Sequence, residues 1–141
     1  MIQRIQSLFI VAAAGLGISL FFVPVIVFAG SEELFIVNAA GFTGANIWYF
    51  SLLSILCILP LFIQLFMYNN RKKQILIGKI SILMWILWIL LFMLIVYLNE
   101  IANFSLQFGA IFPFLIVIFI LLANRNIKKD EELIRSIDRI R

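Results

Sequence analysis

The sequence predicts an all-α protein: an integral membrane four-helix antiparallel bundle with N and C termini cytoplasmic and an amphipathic C-terminal helix on the cytoplasmic side. Three observations carry this expectation. The chain of 141 residues is 65% apolar and 13% charged, whereas soluble domains carry about 45–50% apolar and about 25% charged residues. It holds four long charge-free runs, Ile5 to Ser31, Leu34 to Asn70, Ile80 to Asn99 and Ile101 to Asn124, and a spanning helix needs about 20 mainly apolar residues. Between the second and third runs lie Arg71, Lys72, Lys73 and Lys79. Such clusters collect in cytoplasmic loops.

The first span is expected near 8–29. Ala13/Gly17 and Gly15/Ser19 are small residues four apart, a spacing that lets a second backbone approach closely. This face is the expected contact with the other helices or with a second copy. Val27-Phe28-Ala29 before Gly30 resembles a signal-peptidase site. The apolar run exceeds the 7–15 residues of a usual signal core, so retention is expected. Residues 30–46 form an outer loop, read as a short element resting on the membrane surface.

The second span is expected near 47–68 and holds Cys57. A lone thiol at membrane depth reads as a small packing residue. Gln64 is expected to hydrogen-bond across helices near the inner surface. The third span, near 74–97, carries Trp85 and Trp88 on one face, in lipid contact or helix packing. Pro24, Pro60 and Pro113 fall in three predicted helices, and each can kink its helix. The fourth span lies near 104–124.

The tail, residues 125–141, reads as a helix leaving the membrane. At about 100° per residue, Ile127, Leu133, Ile134, Ile137 and Ile140 gather in one stripe. With Arg71, Lys72 and Lys73 of the inner loop they form the candidate partner-binding surface. The four acids of the tail, Asp130, Glu131, Glu132 and Asp138, favour a protein contact over a lipid one.

With the N-terminus inside, all eleven Lys and Arg are cytoplasmic, and the outer loops hold Glu32, Glu33 and Glu100. This is the positive-inside asymmetry. It explains the net charge of +4 without nucleic acid. The chain has no His, no expected charge within a helix core, no metal-ligand set and no nucleophile paired with a base. No enzymatic activity and no cofactor are expected.

Three segments also resemble a known family. These are Met1 to Gln6, Asn70 to Ile75, and the tail from Ala123 to Arg141, which is the most specific. They are similar to the bacterial four-helix membrane proteins classed as domain of unknown function 4293. The resemblance implies a multi-pass protein of the bacterial cytoplasmic (inner) membrane and no activity. The expected function is an accessory or scaffold subunit, in the lipid bilayer, presenting its inner loop and tail to a cytoplasmic or membrane partner. The alternative is a small oligomeric carrier or channel for an uncharged or lipid-like molecule, working through the interior near Pro60, Gln64 and Pro113.

Overall fold

A computed structural model describes residues 3–28, 33–34, 48–68, 70–98 and 104–138. Four α-helices dominate these residues: α1 (Gln3–Ser19), α2 (Trp48–Phe66), α3 (Arg71–Leu98) and α4 (Phe112–Asp138). A three-stranded antiparallel sheet accompanies them, with β1 (Ile26–Phe28) between β2 (Glu33–Leu34) and β3 (Phe104–Leu106). Ile26 pairs with both Leu34 and Leu106. The sheet was not foreseen from the sequence, and it ties the segment after α1 to the segment before α4.

The helix limits have local causes. α1 stops at Ser19 rather than near Ala29, because Pro24 has no N–H for the Leu20 carbonyl and its ring clashes with that group, so the helix cannot continue through it. The chain closes with Phe22 N–H on the Ser19 carbonyl at 3.0 Å, then bends at Pro24. α3 starts at Arg71 rather than Gln74, because Asn70 caps it: its Oδ1 accepts from the Lys73 N–H at 3.3 Å. α4 begins after a 3-10 turn, Phe108–Ile111, and runs unbroken past Asn124 to Asp138. Of the three prolines, Pro60 alone sits in a helix interior. Pro113 is in the first turn of α4, where its missing N–H costs nothing.

α1 packs most extensively on α4, α4 on α3, α3 on α2, and α2 back on α1. Each helix buries one seam. On α1 it is Gln6, Ile10, Ala13, Gly17 and Leu20; on α2, Phe50, Ser54, Cys57, Leu61 and Gln64. On α3 it is Gln74, Gly78, Ser81, Trp85 and Trp88; on α4, Pro113, Ile116, Ile120, Ala123, Ile127 and Asp130. The steps alternate three and four, the 3.5-residue repeat of coiled-coil packing. The opposite faces are apolar and exposed, as at Leu8, Phe66, Leu83 and Leu90. α3 and α4 are long and apolar enough to cross a membrane, while α1 and α2 are shorter apolar helices.

The two small-residue pairs of α1 part company. A Cβ on Gly17 would lie 2.9 Å from Ile58 Cγ1, so Gly17, with buried Ala13, is where α2 approaches. Gly15 is exposed with nothing within 4 Å, and Ser19 Oγ is spent on the Leu16 carbonyl at 2.8 Å. Among the described residues Gly15 therefore makes no such close approach.

Gly109 of the 3-10 turn donates its N–H to the Pro24 carbonyl, and a Cβ there would sit 2.6 Å from that oxygen. Gly109→Ala is expected to destabilise by about 1–3 kcal/mol, since backbone cannot step aside. Gly15→Ala, on an open helix face, is expected to stabilise by up to about 1 kcal/mol through helix propensity. Thermal unfolding of both variants in one detergent checks the opposite signs.

Candidate functional site

The helical body has two chemically different ends. At the basic end, four buried seams finish in polar residues. Gln64 Nε2 donates to Asn124 Oδ1 at 2.9 Å, joining α2 to α4 as expected of Gln64. Gln74 Nε2 donates to the Gln64 carbonyl at 3.1 Å, closing the α2–α3 hairpin. Gln6 Nε2 donates to Asp130 Oδ2, tying the first turns of α1 to the last turns of α4. Gly78 makes this possible: a Cβ there would lie 2.6 Å from Gln64 Nε2 and 2.6 Å from Asn124 Nδ2.

The expected partner-binding residues divide. Ile127 is 0% exposed and belongs to the core, so it is not a docking residue. The tail was read as leaving the membrane from residue 125. In fact α1 lies alongside it as far as Asp130, which is only 8% exposed. Leu133 and Ile134 stay open, at 54% and 46% exposed. Lys72 and Lys73 are exposed, whereas Arg71 is half-buried with its Nη1 enclosed. Ile137 is on α4 but its side chain, like all of Ile140, lies outside the described residues. So do residues 35–46 of the outer loop. Among the described residues the tail carries one surface ion pair, Lys128 with Glu132 at 4.0 Å, a kind of pair that contributes little.

Toward the sheet end the interior is aromatic. Trp85 and Trp88 are buried, so they serve helix packing rather than lipid contact. Trp88 Nε1 donates to Ser54 Oγ at 2.9 Å, and that hydroxyl donates to the Phe50 carbonyl at 2.7 Å. The Trp88 ring stacks on Phe92, centroids 5.3 Å apart, and Phe50 meets both edge-on. Beyond them a cavity of about 420 Å³ opens between α3, the 3-10 turn and the start of α4, with Trp88, Phe92, Gln107, Ala110 and Phe114 in its wall.

Gln6, Gly78, Asn124, Asp130, Gln107 and Gly109 did not stand out in the sequence. The signal was there for Asp130: it falls on the same three-four spacing as Ile116, Ile120, Ala123 and Ile127. Among the described residues no group of three or more His, Cys, Asp or Glu is placed to hold a metal.

These features define a helical protein with an apolar exterior, polar clasps buried at its basic end and an apolar cavity at the other. A family profile described as a domain of unknown function, DUF4293, matches residues 2–140. The chain belongs to that family. Comparison with curated proteins and with solved structures gives no match.

The Gln64–Asn124 bond can be weighed by a double-mutant cycle. Gln64→Leu or Asn124→Leu alone is expected to cost about 1–3 kcal/mol, because each leaves the other amide, buried at Gln64 and half-buried at Asn124, without this partner. The double variant is expected to cost less than the sum. Thermal unfolding in detergent is the measurement, and strict additivity is the contrary outcome.

Proposed function

We propose that the protein spans the cytoplasmic membrane four times, both termini cytoplasmic, and acts without catalysis as an accessory or scaffold subunit. The observation that carries this reading is the Gln6–Asp130 clasp. It brings the start of α1 and the end of α4 to the end where the Lys72–Lys73 hairpin lies. Three chain segments at that end then offer one composite surface, which includes the exposed Leu133 and Ile134.

The helix lengths fit. α4, with 27 residues, is ~40 Å long, more than a ~30 Å hydrocarbon core, so its last turns reach the cytoplasm. α1 and α2, with 17 and 19 residues, are ~26 and ~28 Å long. For α1 the hydrogen-bonded turn and sheet complete the crossing, and backbone paired in this way is tolerated at membrane depth. The exposed apolar faces meet lipid, and the open Gly15 face of α1 is left for lipid or a second copy. A through-path for an uncharged molecule is less favoured, because the interior around Gln64 is filled by Asn124 against Gly78.

Two experiments test this. In a Cys57→Ala background, Lys73→Cys and Ser136→Cys are expected to react with a membrane-impermeant maleimide only after cells are opened. Labelling on intact cells would reverse the topology. Mild-detergent purification is expected to retain a stoichiometric partner that Leu133→Glu with Ile134→Glu releases at unchanged elution volume. A truncation must fall after Glu132, since cutting at Lys129 also removes the Gln6 clasp. Retention of the partner by the double variant would move the interface elsewhere.

A further inference from the structure

The cavity beyond Trp88 is separate from the composite surface of the basic end and lies at the opposite end of α3. Its wall combines three features. The Trp88–Phe92 stack and Phe114 make it apolar and aromatic. Gln107 is the one amide side chain among the described wall residues. That amide does not cap the 3-10 turn it precedes. The other polar side chain in the wall, the Trp88 indole, already donates to Ser54 and is not available.

The size selects the occupant. A dry cavity of about 150 Å³ holds benzene, and this one has about 420 Å³, within the range of small-molecule sites. It suits one hydrocarbon chain rather than a two-chain lipid. No charged side chain is among its described lining residues, so those residues offer no ion-pair partner to a phosphate or an ammonium. A primary amide both donates and accepts, which matches a hydroxyl or a carbonyl.

We propose that this cavity binds a neutral single-chain amphiphile, such as a fatty or isoprenoid alcohol. Its chain lies along Trp88, Phe92 and Phe114, and its uncharged polar head hydrogen-bonds to the Gln107 amide. The inference rests on the membrane reading in that the ligand arrives from lipid. The cavity itself does not depend on which way the chain is oriented.

The test is contact quenching of tryptophan by a dibrominated stearyl alcohol, added to the full chain carrying Trp48→Phe in detergent. Expected is saturable quenching of the Trp85–Trp88 pair, displaced by unbrominated stearyl alcohol. Octadecane should displace it about five- to tenfold more weakly, the worth of one hydrogen bond. Gln107→Leu, at the cavity wall, should erase that preference, and Ala110→Phe should abolish saturation by filling the space. If Ala110→Phe does not fold, wild-type displacement and Gln107→Leu still decide. Quenching that rises linearly and is not displaced overturns the proposal. So does equal displacement by phosphatidylcholine, which would make the cavity an ordinary crevice for bulk lipid chains, and so does an unchanged alcohol preference in Gln107→Leu. Carbonate extraction of membranes reads the membrane assignment separately, so the two failures are distinguishable.

Discussion

The structure depends on a single constraint: four seams on a three-four repeat must close on one another although both faces of every helix are largely apolar. Burial of apolar surface cannot choose the inward face when the outward face is equally apolar. Shape and polarity choose it instead. Ala13 and Gly17 admit α2, and Gly78 gives room to the Gln64–Asn124 pair. A buried amide without a partner costs more than a bonded one returns, so the polar seam residues fix register where leucines would slide. Coiled coils use an isolated buried polar residue in the same way.

That constraint also explains which parts were legible beforehand. The four helices and the separation of charge follow from composition and run length, which are local. Which of two small-residue pairs packs is not local. Ala13/Gly17 and Gly15/Ser19 have the same spacing, and only the position of α2 tells them apart. The tail was misread for a related reason. Its apolar stripe, Ile127 included, was read as a surface for a partner. It is the continuation of the α4 seam, which passes through Ile127 and Asp130 on the same repeat. Asp130 reads as a surface acid until Gln6, far away in sequence, is seen to meet it. The sheet was invisible because its strands are two or three residues long.

The continuity of that seam gives the exposed residues of the tail a physical origin. Continuing the repeat beyond Asp130 brings it to Ile134, which is exposed among the described residues. Leu133 and Ile134 therefore follow directly on the packed seam of α4 rather than belonging to a separate helix. Under the proposed scaffold reading, a partner docked there extends helix packing already in place. It meets a helix that the Gln6 clasp has ordered, so little further ordering entropy is lost on binding.

The two ends differ because α1 is short. At the basic end all four helices are present, and their polar residues fill the section between them. At the sheet end α1 has already stopped ahead of Pro24, and a bend, a strand and a 3-10 turn take up its place. Gly109 holds that turn against the Pro24 carbonyl. Two or three residues of strand carry less side-chain volume than a helical turn, so the section is not filled beside Trp88 and Phe92. The cavity is the consequence. The early end of α1, set by a proline that sequence reading had placed inside a helix, leaves the molecule closed and clasped at one end and open to an apolar chain at the other.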